Sequence, residues 1–120
     1  MLTDQNIISL AKETLRIEAD AVMGLMEMLN DDFTSCIKLI HASEGRVVVS
    51  GIGKSAIIAN KIVATLNSTG TPSVFLHAAD AIHGDLGMIQ RNDSVILISN
   101  SGNTPEIKVL APLIKVEVMY

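Results

Sequence analysis

The sequence predicts an α/β fold: a three-layer sandwich with a parallel sheet, incomplete at its C-terminal side and preceded by N-terminal helices. Two observations predict it. Three short runs, Arg46–Ser50, Ser73–His77 and Ser94–Ser99, are rich in β-branched residues and almost continuously apolar rather than alternating. Such runs mark strands buried on both faces, as in a parallel sheet covered by helices. Between and after these runs lie segments with helical spacing, and the alternation of strand and helix is the pattern of layered α/β folds.

Taken in order, the chain opens with a helix that Thr3 or Asp4 can cap, with Ile7, Ile8, Ala11, Leu15, Val22, Leu25, Met26 and Leu29 recurring at helical spacing. Asn30-Asp31-Asp32 interrupts it. Asp32 is the expected cap of a second helix carrying Phe33, Cys36, Ile37 and Ile40 on one face. Cys36 reads as a small buried apolar residue. The character changes at Gly45, so residues 1–45 are expected as N-terminal helices and 46–120 as the sheet-bearing region, together one structural unit. After the first strand, Gly51-Ile52-Gly53 leads into a helix near Ser55, with Ala59, Ile62, Val63 and Leu66 on one face. Thr69-Gly70-Thr71-Pro72 breaks it before the second strand.

Composition narrows the function. The 120 residues carry 9 Lys+Arg and 13 Asp+Glu, 48% apolar residues and 18% charged ones, an ordinary globular balance. The net charge of −4 argues against general nucleic-acid binding. No run approaches the ~20 apolar residues of a membrane span, and Asp4, Lys12, Glu13 and Arg16 interrupt any signal-peptide pattern. A single cysteine leaves no internal disulfide and fits a reducing cytoplasm. Residues 1–45 carry a net of 3 − 8 = −5 and residues 46–120 a net of 6 − 5 = +1, so an anionic ligand belongs to the second part. Acidic helices also solvate themselves with carboxylates, so the charge alone does not decide this.

Two loops follow strand ends and open helices: Ser50-Gly51-Ile52-Gly53-Lys54-Ser55 and Ser99-Asn100-Ser101-Gly102-Asn103-Thr104-Pro105-Glu106. Helix-start N–H groups attract anions, hydroxyls add donors, and glycines allow close backbone approach. A P-loop is excluded, because Val48 stands where its first glycine is required. The pattern Gly51-x-Gly53-x-x-Ala56 lacks the acidic residue that dinucleotide binding needs at the end of the next strand. His77, Asp80, His83 and Asp85 offer metal-ligand types without a standard helical spacing. Local alternatives stand beside each candidate: Lys54 as an exposed lysine set against the helix dipole, His83 as a helix-terminal imidazole, and Glu106 closing a capping box with Asn103.

Gly-Ile-Gly-Lys-Ser at 51–55, Ser-Thr-Gly-Thr-Pro at 68–72, His-Gly-Asp-Leu-Gly-Met at 83–88 and Ser-Asn-Ser-Gly at 99–102 occur in one order. Together they resemble the arabinose 5-phosphate isomerase family of sugar isomerase (SIS) domain proteins, from roughly Leu15 to Lys115. The resemblance implies a five-stranded parallel sheet. It also implies interconversion of D-ribulose 5-phosphate and D-arabinose 5-phosphate through an enediolate, supplying the precursor of Kdo, a sugar of bacterial lipopolysaccharide or capsule. It implies Lys54, Glu106 and His83 as active-site residues, with Glu106 moving a proton and His83 also touching substrate. It implies substrate contacts from Gly51, Gly53, Ser55, Gly70, Thr71, His77, Ser99, Ser101 and Thr104. His77 matches a position able to take zinc, which the reaction does not require, and no other cofactor is implied. The implied partners are the pentose 5-phosphate and further copies of the chain in a homodimer or homotetramer, with no nucleic acid and no membrane.

Departures from the family pattern are Ala56 for a glycine, His77-Ala78-Ala79-Asp80 for His-Pro-Ala-Glu, and Ser101-Gly102-Asn103 for Ser-Gly-Glu. After Leu113-Ile114-Lys115 the family continues into two more strands and further catalytic residues, whereas this chain ends at Tyr120. The sequence is therefore expected to be a truncated form with very weak or no turnover. A non-catalytic sugar-phosphate-binding module or an inactive fragment is the alternative to an enzyme.

Overall fold

The structure, a computed structural model, describes residues 1–118, with side chains described through Ile114. Its backbone divides into two compact units, Met1–Ile37 and Lys38–Tyr120.

The first unit is helical. Helix α1 spans Asp4–Gly24, and Thr3 caps it by accepting the Asn6 N–H at 3.2 Å. A 3₁₀ turn, Leu25–Met28, ends the run. Helix α2 spans Asp31–Ala42. Its cap is Asn30 and not Asp32: the Asn30 side-chain oxygen accepts the N–H groups of Asp32 at 3.0 Å and Phe33 at 3.3 Å. An N-cap serves N–H groups two and three residues on, which Asn30 reaches and Asp32, already inside the helix, does not. No residue of α1 or α2 is buried. Cys36, expected in a core, is exposed.

The second unit holds the sheet. Strand β1 (Val47–Gly51) is followed by helix α3 (Lys54–Ser68), strand β2 (Ser73–His77), the short helix α4 (Ala78–Ile82), a 3₁₀ turn (Asp85–Met88), strand β3 (Ser94–Leu97) and helix α5 (Pro105–Val118). The three described strands are parallel in the order β2-β1-β3, with Val47 paired to Ser73 on one side and to Ser94 on the other. Every residue of β1 is buried, which explains its unbroken apolar character: it is the central strand with helices on both faces. Successive side chains of a strand point to opposite faces, and β1 divides its valines accordingly. Val47 and Val49 pack with Ala59, Ile62, Val63 and Leu66 of α3 and with Ile40 of α2. Val48 packs with Ala78 and Ala81 of α4 and with Ile107, Leu110 and Ile114 of α5. The three layers follow directly. Each such aliphatic side chain contributes roughly 1.5–3 kcal/mol on full burial.

The amino ends of β1 and β3 are tied together. Asp93, buried just before β3, accepts the Arg46 main-chain N–H at 2.8 Å, the Arg46 Nη2 at 2.9 Å and the Gln90 N–H at 2.8 Å. Arg46 Nη2 also donates to the Met88 carbonyl at 2.8 Å, and Ser43 Oγ donates to the Asn92 carbonyl at 2.7 Å. Gly45 passes so close to this turn that a Cβ would lie 2.2 Å from the Asn92 oxygen. Burial pushes the Asp93 carboxyl up, but the Arg46 hydrogen bond and charge and the two main-chain donors outweigh it and hold the carboxyl below its ordinary value.

Candidate active site

The carboxyl ends of the strands carry the candidate residues. β1 lies between β2 and β3, and the connections from β1 and β3 leave toward helices on opposite faces. The crevice between their carboxyl ends is the switch point at which open α/β sheets take ligands. The Ile98 N–H donates to the Ser50 carbonyl at 2.9 Å, so the loops after β1 and β3 leave the sheet side by side. His77, at the end of β2, is the register partner of Gly51. Gly51, His77 and the start of the 99–104 loop therefore occupy one edge.

Each loop is shaped by its residues. The loop after β1 turns into α3 at once, and a Cβ on Gly51 would lie 2.9 Å from the Ser55 carbonyl carbon and 3.2 Å from the Ala56 nitrogen. Gly51 is thus required for the approach of its own helix. Gly53 has φ +60° and ψ −130° and offers no side-chain cap, which only glycine adopts without strain. The first N–H groups of α3, at Lys54 and Ser55, are left uncapped, and a helix start in that state attracts anions. Lys54 is exposed there, where the helix dipole disfavours a cation.

The loop after β3 is held by its own hydroxyls. Ser99 Oγ and Thr104 Oγ1 are 2.7 Å apart, the Gly102 N–H donates to Ser99 Oγ at 3.0 Å, and the Asn103 N–H donates to Ser101 Oγ at 3.0 Å. Gly102 takes φ +68° to close the turn. Thr104 occupies the cap position of α5, its carbonyl accepting the Lys108 N–H at 3.0 Å, and Pro105 takes the first helical position, where its missing N–H costs nothing. Glu106 is then the second helical residue. A capping box needs the acid at the third, so the pairing of Glu106 with Asn103 is not formed. Glu106 is half-buried, and the helix start favours its negative charge. Neither Lys54 nor Glu106 has an ion-pair partner among the described residues.

The remaining candidates fall at two places. His83 is exposed at the C-terminal end of α4. Gly70 and Thr71 precede β2, at the amino edge of the sheet. A five-residue strand at ~3.3 Å per residue separates that edge from the crevice by about 15 Å. His77 caps α4, its Nδ1 accepting the Ala79 N–H at 3.3 Å. That bond leaves the ring proton on Nε2, and among the described residues no group of three or more His, Cys, Asp or Glu stands together. Sequence reasoning missed the Arg46–Asp93 tie. Its signal was a basic and an acidic residue each immediately preceding one of two adjacent parallel strands.

A three-layer parallel α/β unit with hydroxyl- and glycine-rich loops at its switch point defines a class, and the SIS domain model matches residues 39–118. The chain belongs to the SIS domain family. It is 50% identical over 115 residues to arabinose 5-phosphate isomerase KdsD of Pseudomonas aeruginosa, covering 96% of this chain and 35% of that protein. It is 47% identical over 106 residues to arabinose 5-phosphate isomerase GutQ of Escherichia coli K12, covering 88% of this chain and 33% of that protein. A solved structure of an E. coli CFT073 protein in complex with arabinose 5-phosphate superposes with a TM-score of 0.89 at 44% identity, covering 97% of this chain and 62% of that one. The chain spans about a third of the length of the curated relatives it matches. Among the described residues no helix is long and apolar enough to cross a membrane.

Proposed function

We propose that this chain carries the phosphate-binding and proton-transfer half of a cytoplasmic sugar-phosphate isomerase interconverting D-ribulose 5-phosphate and D-arabinose 5-phosphate, the step that feeds Kdo synthesis. One observation carries the proposal: two anion-suited loops adjoin at the switch point, each opening a helix whose first turn bears a reactive group, Lys54 or Glu106, without an ion-pair partner among the described residues. Aldose–ketose isomerisation moves a proton between adjacent carbons through an enediolate. Glu106 serves as the base, and Lys54 stabilises the developing oxyanion. The phosphate seats on the uncapped start of α3 and the hydroxyls of Ser55, Ser99, Ser101 and Thr104, converting remote binding into positioning. The Nε2–H of His77 is a further donor at the same edge. His83, one short helix beyond His77, is a further substrate contact, and the contribution of Gly70 and Thr71, at the amino edge, rests on the homodimer or homotetramer that the sequence resemblance implies.

Ligand-dependent melting tests this reading. A hundredfold excess of arabinose 5-phosphate over its Kd is expected to stabilise the protein by about 2.7 kcal/mol, with ribulose 5-phosphate acting likewise. A melting temperature unmoved by millimolar concentrations of either would refute the site. Solvent-deuterium incorporation beside the substrate carbonyl, followed by NMR, separates an enzyme from a binding module: protection without exchange identifies the latter.

A further inference from the structure

We infer that Ile52 is a positioning residue for the crevice: its side chain ties the loop that opens α3 to the layer that carries α5, and so fixes the spacing of Lys54 and Glu106. The inference deepens the proposed function and rests on it for the roles of those two groups, whereas the packing stands on the structure alone. In the loop Ser50-Gly51-Ile52-Gly53-Lys54-Ser55, the glycines serve the backbone and the serines and lysine offer polar groups. Ile52 does neither. It is half-buried in the middle of an otherwise polar and glycine-rich turn.

Its packing crosses the sheet. Helix α3, which this loop opens, packs through Ala59 and Ile62 on the face of Val47 and Val49. Ile52 packs instead against the cluster on the opposite face, which includes Val48, Ala78, Ile107 and Leu110. Ile107 lies in the first turn of α5 and directly follows Glu106. One apolar cluster therefore holds a residue two positions before Lys54 and a residue one position after Glu106. The Ile98 N–H bond to the Ser50 carbonyl aligns the two loops where they leave the sheet. Beyond it come Gly51 and Gly53, the second with φ +60°, and glycine has the freest backbone of any residue. The hydroxyl bonds of the 99–104 loop close on that loop itself. The apolar anchor between the two glycines thus sets where Lys54 comes to rest relative to α5. Isomerisation needs the phosphate seat, the oxyanion donor and the base at fixed separations, and a misplacement of ~1 Å can cost about 10²-fold.

A pair of substitutions alike in shape tests the anchor in the full chain. Threonine matches valine in outline but carries a hydroxyl that an apolar cluster disfavours. Calorimetric titration compares inorganic phosphate, which needs only the uncapped start of α3, with arabinose 5-phosphate, which reaches from there to Glu106. Ile52→Thr is expected to raise the Kd of arabinose 5-phosphate about tenfold through lost preorganisation, while that of inorganic phosphate stays within about twofold. Ile52→Val is expected to bind both as the wild type does. Parallel loss of both ligands in Ile52→Thr, or an unchanged affinity for arabinose 5-phosphate, overturns the inference. The spacing is also read without ligand, from nitroxide labels at Ile57→Cys on α3 and Val109→Cys on α5, both exposed positions, with Cys36→Ser removing the native thiol. A narrow distance distribution is expected with Ile52 or Ile52→Val and a broadened one with Ile52→Thr. Equal widths in all three overturn the inference. Wild-type protein that fails to bind arabinose 5-phosphate refutes the isomerase reading instead, and the label distances still decide the role of Ile52.

Discussion

Replacing Asp93 by alanine tests whether the tie at the amino edge holds the sheet together. The Asp93 side chain is fully buried, and that of Arg46 is 29% exposed. Two carboxylate oxygens accept the main-chain N–H groups of Arg46 and Gln90 and the Arg46 guanidinium. Alanine removes the acceptor of both main-chain donors at once and leaves Arg46 Nη2 its bond to the Met88 carbonyl, in a site with little access for water. Breaking a buried pair from one side costs about 3–5 kcal/mol, because the surviving charge and donors stay desolvated. Total stabilities run only ~5–15 kcal/mol, so the variant is expected to lose a large share of its resistance to urea with little change in slope. The double variant Arg46→Ala/Asp93→Ala is expected to fall short of the sum of the singles, since the guanidinium no longer needs a partner. The pH dependence has a definite sign. The folded carboxyl is held below its ordinary value, so its contribution is fully present above the unfolded value of about 3.9 and is lost as pH falls through the lower folded value. The difference between wild type and Asp93→Ala should be flat near neutrality and shrink in strong acid. A loss below about 1 kcal/mol at pH 7, the level of an exposed pair, would show that this cluster does not hold the sheet.

Two further expectations concern the crevice. In a chimera that continues this chain with the remainder of the P. aeruginosa relative, Lys54→Ala is expected to lower kcat by about 10²–10³ and Glu106→Gln by about 10²–10⁴; deuterium exchange left unchanged by Glu106→Gln would remove it as the base. Gly51→Ala is expected to destabilise by roughly 1–3 kcal/mol, as overpacking does, and to weaken phosphate protection at the same time, because the added methyl displaces the start of α3; intact binding in a destabilised variant would separate the two effects.

The sheet was legible because its signal is local. Runs such as Val47-Val48-Val49 and Val95-Ile96-Leu97 are apolar on both faces, and burial between helix layers leaves them no other solution. Boundaries moved where hydrogen bonding, not hydrophobicity, decides. β1 runs one residue further, to Gly51, because Gly51 still pairs with His77. β3 ends at Leu97, since beyond Ile98 the chain closes on the Ser99 hydroxyl. The second helix took Asn30 as its cap because a cap must stand outside the turn it serves. Periodicity in the first 37 residues predicted helices correctly but not where their apolar faces go: a stripe of Ile8, Leu15 and Val22 specifies that a face seeks a partner, without specifying which. The Arg46–Asp93 tie escaped because its two halves are 47 positions apart and become neighbours only through the parallel pairing of β1 with β3.

The two ends of the sheet differ in how their polar groups are treated, and that difference separates scaffold from site. At the amino edge the donors gathered around Asp93 and Asn67 have acceptors close by. Asp93 gathers Arg46 and Gln90, and the Asn67 amide takes the Ser73 N–H at 2.7 Å while donating to the Ser73 carbonyl at 3.1 Å. At the carboxyl edge the first N–H groups of α3 are uncapped, and Lys54 and Glu106 have no partner of opposite charge among the described residues. Groups left open at the surface lose little, because water solvates them, and they are available when a ligand displaces that water. The same groups at the amino edge would have to be buried against β1 and could not remain unpaired. Folding therefore ties together the end of the sheet where the strands begin and leaves the α3 start, Lys54 and Glu106 open at the end where the helices begin. Substitutions at Asp93 should consequently change stability without changing what binds, whereas those at Lys54 and Glu106 should change binding or turnover at nearly constant stability.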